Sequence, residues 1–297
     1  MEVDIGPGKY IVAVSGGVDS VVLLHLLVSK FQIPNSKFQF VVAHFDHGIR
    51  KDSDADRQFV QNLAEKNGLA FEFKREELGK DASEALARER RYRFLNEVKA
   101  KHHADAIITA HHMDDVLETA CINILRGTFR KGLSALASGE ILRPLLAYKK
   151  EELVNYAKKH NLQWREDVTN EDTKYLRNFV RSRLAPADPH DKNRLMQIIE
   201  ENKGRNEEID RLVSEIFEFG YDESTHSMDR RFFISLPYNV SCEILAFWLR
   251  KNSVEFDKKN IELLAAGLKT GQSSSRLDVG RGLVFKLSDT RISLQAV

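Results

Sequence analysis

The chain has 297 residues, 42% hydrophobic and 30% charged, a globular composition with room for one large or two ordinary domains. Its net charge of +1 excludes a global basic field of the kind that marks a nucleic-acid binder by itself, and no apolar run approaches the ~20 residues of a membrane span. Two cysteines, Cys121 and Cys242, lie far apart and outside any Cys-x-x-Cys, which argues against a disulfide framework, a cysteine-ligated zinc site and a redox pair; with no basic-then-apolar leader, the expected home is a reducing cytoplasm.

Tyr10 to Val14 is a short β-branched run, as in a buried parallel strand, and Val21 to Val28 is an apolar stretch that predicts a helix packed on it. Between them lies Ser15-Gly16-Gly17-Val18-Asp19-Ser20. This turn presents backbone N–H groups and two hydroxyls at a helix N-terminus, an anion site by construction. No Gly-Lys-Ser/Thr follows, so it is not a Walker loop, and Gly-x-Gly-x-x-Gly is absent. Asp19 is unexpected beside a phosphate unless a divalent cation lies between, since Mg²⁺ takes one or two carboxylates plus phosphate oxygens. The competing reading is an ordinary Ser/Asp helix cap, which needs one such residue rather than three and two glycines.

"FQFVVAHFDHG" (38–48) predicts a second strand ending in polar residues, followed by a helix from about 54 to 67 and a strand at 69–74. Residues 83–101 predict a charged amphipathic helix, and "DAIITAHHMDD" (105–115) another buried strand with a polar end. Strands alternating with helices imply a parallel sheet with right-handed crossovers, whose ligands sit beyond the C-terminal strand ends. The polar bursts at 15–20, 44–50 and 111–118 all fall on that edge. Further on come an extended piece and a helix starting near Lys149, a Pro-containing loop at 185–192, and helical pattern to about Phe219. From Met228 a small α+β module is expected: strand-like "RRFFISL", helices at 242–251 and 258–269, and strands "SRLDV" and "GLVFKLS". The predicted fold class is α/β, a doubly wound parallel-sheet nucleotide domain (1–190), then a helical connection (191–227) and a small α+β C-terminal domain (228–297).

His111, His112, Asp114, Asp115 and Glu118 sit where a strand enters a helix; Asp115 and Glu118 are three apart and share a face. A transition-metal site, a capping cluster, and an anionic pocket for Mg²⁺ or a substrate amine are all compatible with this pattern. Two basic stretches stand out on the near-neutral chain. Lys174, Arg177, Arg181 and Arg183 fall in a run from 173 to 183 with no acid, and Arg88, Arg90, Arg91 and Arg93 crowd another. Either can meet a phosphate backbone or be a solvated face, the latter favoured where Glu84 precedes Arg88 by four.

Ser-Gly-Gly-Val-Asp-Ser after a strand resembles the PP-loop ATP-pyrophosphatases. "AHHMDDVLET", "LRGT", "GLSAL", "RPLL" and "EDVTNEDTKYLRNFVR", in that order, resemble the tRNA(Ile)-lysidine synthetase family through residues 10–184, and "LDVGRGLVFKL" resembles that family's first C-terminal domain. Any one string is weak; the ordered set is specific. Phe129 and Thr169 depart from the family's usual glycine and serine, and the chain stops where longer members continue with another C-terminal domain. The resemblance implies ATP-dependent ligation of free L-lysine to C2 of the wobble cytidine of tRNA(Ile) with a CAU anticodon, through an adenylated tRNA, releasing pyrophosphate and AMP.

By the same resemblance, ATP and Mg²⁺ are the cofactors. Ala13, Ser15, Gly16, Gly17, Val18, Asp19, Ser20 and His44 are implied to bind ATP, with Asp19 also the metal ligand. Arg91 in "ARERRYRFL" is implied to meet the activated site, Asp115 and Glu118 to hold the lysine amines, and Arg126, Arg177, Asn178 and Arg181 to meet the tRNA. Asp19, Arg91, Asp115 and Glu118 form the implied catalytic set. No membrane is implied, and a homo-oligomer is left open. A PP-loop tRNA thiolase usually relies on a cysteine pair that this sequence lacks, and NAD or GMP synthetases do not fit the later motifs. A tRNA-binding protein with a decayed ATP site fits poorly with the intact Asp19 and acid cluster.

Overall fold

A computed structural model describes residues 1–31, 37–48, 53–79, 83–128, 130–133, 141–165 and 176–296. The chain divides into two compact units, Met1–Ile122 with Ala135–Lys192, and Asn123–Ser134 with Asn193–Val297.

The first unit is built on five parallel strands: β1 (Gly8–Ala13), β2 (Phe38–Asp46), β3 (Ala70–Arg75), β4 (Ala106–Ile108) and β5 (Ile141–Leu142), in the order β3-β2-β1-β4-β5. β1 is central, so both of its faces are covered. Tyr10, Val12 and Val14 join one core cluster and Ile11 joins the other, which explains why its sequence is apolar without alternation. Helix α1 (Val18–Phe31) buries Val21 to Leu24, Leu26 and Leu27. α2 (Ser53–Lys66) contributes Val60 and Ala64, and α5 (Lys150–Lys159) adds Leu153 and Ala157 to the same cluster. On the opposite face, α3 (Glu84–Lys101) buries Phe94, Leu95 and Val98, and the Ser83 hydroxyl caps it by accepting from the Leu86 N–H at 3.1 Å. β2 lies on one side of β1 and β4 on the other. The sheet order therefore reverses at β1, and the crevice at its C-terminal end is the topological switch point.

β4 is shorter than expected. The apolar run continues to Ala110, but the ladder ends after Ile108 and the chain turns into α4 (Met113–Leu125). α6 (Leu176–Leu184) lies in the first unit, and a turn separates it from the 32-residue helix α7 (Pro189–Gly220).

The second unit carries a five-stranded antiparallel sheet in the order β6-β7-β10-β9-β8: β6 (Tyr221–Asp222), β7 (Ser227–Asp229), β8 (Arg276–Gly280), β9 (Leu283–Leu287) and β10 (Arg291–Ala296). Its helices are α8 (Arg230–Ser235), α9 (Tyr238–Lys251) and α10 (Lys258–Thr270), around a core of Phe217, Phe233, Trp248 and Phe285. Val213 and Phe217 of α7 belong to that core, so the stretch expected as a separate connection packs as part of the second unit. "RRFFISL" is not a strand. The Asp229 carboxylate accepts from the Phe232 N–H at 2.7 Å, and this cap starts α8 one residue after β7 ends. β10 was not among the expected strands. Among the described residues, no helix is long and apolar enough to cross a membrane.

Candidate active site

After β1 the chain bends through Ser15, Gly16 and Gly17 into α1. Gly16 has φ +94°, so the backbone conformation calls for glycine, while a Cβ there would make only ordinary contacts, 3.4 Å from Val60 and 3.5 Å from Phe59. Ser20 is buried and organises the turn: its Oγ accepts from the N–H groups of Ser15 and Gly16, each at 3.2 Å, and donates to the Gly17 carbonyl at 2.9 Å. The Ser15 hydroxyl accepts from the Gly17 N–H at 3.3 Å. In this structure Ser20 thus shapes the loop from behind. Val18 gives its side chain to the core, and Ala13, at the end of β1, is half-buried.

His44, near the end of β2, is buried. Its Nδ1 donates to the Val14 carbonyl at 2.8 Å and its ring stacks on Phe73 at 5.9 Å. Burial lowers its pKa, against the pull of that hydrogen bond, so the ring is a neutral strut between β2 and the loop.

Beyond β4, the first turn of α4 gathers the acids. Asp115 accepts from the His112 N–H at 3.0 Å, so the capping reading is realised in part, and His112 lies among three carboxylates. Its Nε2 is 3.5 Å from Asp115 and 3.8 Å from Asp19, and its Nδ1 is 3.5 Å from Asp114. Desolvation lowers the pKa of His112, but these acids outweigh it and the net shift is upward. The partnership with His112 holds Asp114 down at about 2. His111 behaves oppositely. Burial, with Arg143, Arg91 and Arg88 nearby, depresses it to about 3, and its Nδ1 is paired with the Thr109 hydroxyl at 2.8 Å. No group of three or more His, Cys, Asp or Glu side chains that could hold a metal ion occurs among the described residues.

Glu118 is 2% exposed, one turn further along α4. Burial raises its pKa, and Arg181 works against that rise: its Nε donates to Oε1 at 2.6 Å and its Nη2 to Oε2 at 3.1 Å. Arg177 bonds the Thr119 hydroxyl at 3.3 Å and pairs with Glu84 at 3.0 Å. This corrects the reason for reading the arginine stretch as unanswered by acid. The run from 173 to 183 itself holds no acid, but the fold supplies Glu118 and Glu84. Asn178 is half-buried between the two arginines in sequence. Arg91 is half-buried, its guanidinium 5.5 Å from the Tyr92 ring centre, and desolvation with Arg88 and Arg177 close by lowers its pKa.

Asp19, in the first turn of α1, accepts from the Lys150 ammonium at 2.7 Å on both oxygens. Sequence reading passed over Lys150. It was also silent on Arg130 of the second unit, which bonds Glu243, Asp210 and Asn206. Arg126 is exposed and its segment belongs to that unit. Phe129, the Ser134–Leu136 end of "GLSAL", Thr169, Thr173, Lys174 and residues 49–50 lie outside the described residues.

The structure therefore brings Ser15, Gly16, Gly17, Asp19, Asp115, Glu118, Arg177 and Arg181 of the expected set into the first unit with the α1 and α4 N-termini beside the switch point. A helix N-terminus behind a glycine turn suits an anion, and the acids suit cations.

Residues 3–188 match a family model described as the PP-loop domain. A tRNA(Ile)-lysidine synthase of Exiguobacterium sibiricum is 40% identical over 190 residues, 62% of this chain and 44% of that one. One of Thermosipho africanus is 32% identical over 278 residues, 88% of this chain and 62% of the relative. The matched part of this chain thus spans less than two thirds of the length of these relatives. Among solved structures, the U34-tRNA thiolase NcsA from Methanococcus maripaludis with its [4Fe-4S] cluster shares the fold at a TM-score of 0.56, with 20% identity over 66% of this chain and 73% of that one. With the family match running from before β1 to the end of α6, across the whole sheet and the glycine turn at its switch point, the chain belongs to the PP-loop domain family.

Proposed function

We propose that this protein uses ATP to join free L-lysine to C2 of the wobble cytidine of tRNA(Ile) bearing a CAU anticodon. The C2 carbonyl oxygen attacks the α-phosphorus and pyrophosphate leaves. The ε-amine of lysine then forms the C2–N bond as the C2–O bond to AMP breaks, and the amine's proton passes to solvent. The carrying observation is the 32% identity to a tRNA(Ile)-lysidine synthase over 278 residues, which runs through both units.

The residues fit these roles chemically. In this reading the N–H groups of the 15–17 turn, which donate to the Ser15 and Ser20 hydroxyls in the present structure, turn to the β,γ-phosphates, and the N-terminus of α1 adds its partial positive charge. Ala13 and His44 border the adenosine in this reading. Asp19 offers a single carboxylate with both oxygens turned toward a cation, Lys150 in the present structure. That donor set fits Mg²⁺, which completes its shell from phosphate and water; when bound, Mg²⁺ neutralises charge on the departing pyrophosphate. Asp115 and the buried Glu118 suit the ammonium groups of lysine. Arg91 suits the activated nucleotide, and Arg126, Arg177, Asn178 and Arg181 the tRNA backbone, where planar guanidinium forks pair with phosphate. The second unit is assigned to tRNA contact and the cytoplasm is taken as the site of action. The test is nucleoside mass spectrometry of tRNA incubated with the protein, ATP, Mg²⁺ and isotope-labelled lysine. Labelled lysidine supports the reading; adenylation without lysine incorporation, or neither, overturns it.

A further inference from the structure

Lys150 is the first residue of α5, a position where a cation faces the positive end of the helix dipole and is locally disfavoured. The other residues of that turn obey the rule, with Glu151 and Glu152 following. A residue that breaks a local rule is expected to gain something elsewhere. The backbone at this point is tightly held: the Lys150 N–H donates to Asp114 at 2.8 Å, the Tyr148 carbonyl accepts from the Met113 N–H at 2.9 Å, and the Lys149 N–H donates to Glu152 at 2.8 Å. The stem is therefore rooted on the first turn of α4, and the ammonium reaches Asp19 at the glycine turn, 131 residues away in sequence. Its side chain is 46% exposed, so the head group is not locked in by packing.

We infer that Lys150 is a phosphate ligand of the pyrophosphate loop, parked on Asp19 in this structure and handed to the β,γ-phosphate oxygens when a divalent cation takes the Asp19 carboxylate. This rests on the reading of the 15–20 turn as a nucleotide site. An ammonium and a divalent cation compete for the same two carboxylate oxygens, and a flexible four-carbon stem lets the ammonium shift to a neighbouring anion while its root stays fixed. The exchange keeps every charge near the loop paired: carboxylate with metal, ammonium with phosphate. Lys150 then adds one point charge to an anion site otherwise made of amides and hydroxyls.

The test is calorimetric titration of inorganic pyrophosphate, with and without Mg²⁺, and of ATP with Mg²⁺, into wild type, Lys150→Met, Lys150→Arg, Asp19→Asn and the Asp19→Asn/Lys150→Met double variant, with circular dichroism to confirm folding. Loss of a charge-assisted hydrogen bond predicts about a tenfold or greater weakening for Lys150→Met, with most affinity kept in Lys150→Arg. The decisive comparison is titration of inorganic pyrophosphate without Mg²⁺ in the Asp19→Asn background, where Lys150 has lost its Asp19 partner and no metal site is needed for binding. A phosphate ligand still loses affinity on conversion to Met there; a mere structural partner of Asp19 loses none, and that result overturns the assignment. If wild type binds ATP and pyrophosphate and Lys150→Met binds them equally well, Lys150 alone is misassigned. If wild type binds neither, the nucleotide reading of the loop falls, and this inference with it.

Discussion

Arg181→Ala should destabilise the first unit in a pH-dependent way. Removing one member of a buried ion pair costs about 3–5 kcal/mol, because the partner is left as an uncompensated charge. Glu118 is such a partner, with a side chain only 3% exposed, but the Arg181 side chain is 39% exposed and water screens part of the pair. We therefore expect a loss of about 1–3 kcal/mol at slightly alkaline pH. Burial already holds the Glu118 pKa above its ordinary 4.5, and Arg181 opposes that shift, so its removal lets the carboxyl rise further. A carboxyl whose folded pKa is raised gives a stability contribution that is complete below the unfolded pKa and lost as pH rises through the folded one. The cost of Arg181→Ala must then shrink on acidification, as Glu118 takes up a proton and no longer needs a cation.

Hydrogen–deuterium exchange of α4 peptides, corrected for intrinsic rates, measures this directly in wild type and variant under mildly acidic and mildly alkaline conditions. Glu118→Gln/Arg181→Ala closes the cycle, since the amide keeps the shape without the charge and should recover much of the loss at alkaline pH. An equal loss at both pH values, or a double variant as unstable as Arg181→Ala, would refute the electrostatic account and leave only lost packing of the arginine stem.

Asp19→Asn should keep the fold, since Asp19 is half-exposed, yet lower tRNA-dependent pyrophosphate release by orders of magnitude, as loss of a strong electrostatic stabiliser does; near wild-type release from a folded variant would remove Asp19 from the chemistry. Asp115→Ala should spare adenylation more than lysine transfer, because misplacing a nucleophile by ~1 Å costs about a hundredfold; pulse labelling should show adenylated tRNA persisting, and an equal fall in both steps would contradict the assignment. NMR should find His111 flat through neutral pH, because its pKa is near 3, and His112 titrating above 6.5. Their linkages have opposite signs: the His111 contribution is lost as pH falls from 6.5 toward 3, the His112 contribution as pH rises through its folded pKa.

The parallel sheet was legible because its strands carry their own signal. The middles of β1 and β2 are apolar runs and α1 between them is apolar enough to read as a buried helix, so the parallel sheet follows from alternation, while the strand order that places the switch point at β1 comes from the structure. The polar bursts then marked the crevice, although the acids after β4 serve in part as the cap of α4. Besides β10, Lys150 and Arg130, two further features escaped, each for a physical reason. "RRFFIS" has the β-branched and aromatic content of a strand, but one hydrogen bond from the Phe232 N–H to Asp229 decides for a helix, and a cap of that kind is hard to see inside an aromatic run. The pairing of Arg181 with Glu118 spans 63 residues and leaves no periodic trace, so an arginine run with no acid inside it reads as unpaired.

That pairing recurs through the site as a pattern. Asp19 is held by Lys150, Asp114 and Asp115 lie beside His112, and Glu118 is held by Arg181. Each expected acid thus has a basic side chain of the chain beside it, which offsets part of the cost of burying its charge. On the proposed reading, the ligands that replace these cations are cations too: a divalent metal at Asp19 and ammonium groups at Asp115 and Glu118. Binding there is an exchange, and affinity is set by the difference between two pairings rather than by the strength of one. Phosphates entering alongside give the displaced Lys150 and Arg181 new partners, so nucleotide and metal at the loop, and amine and tRNA at α4, should each bind better together than alone. An arrangement of this kind favours the crevice only when anions and cations arrive as a set, which is what a reaction joining a tRNA, a nucleotide and an amino acid requires.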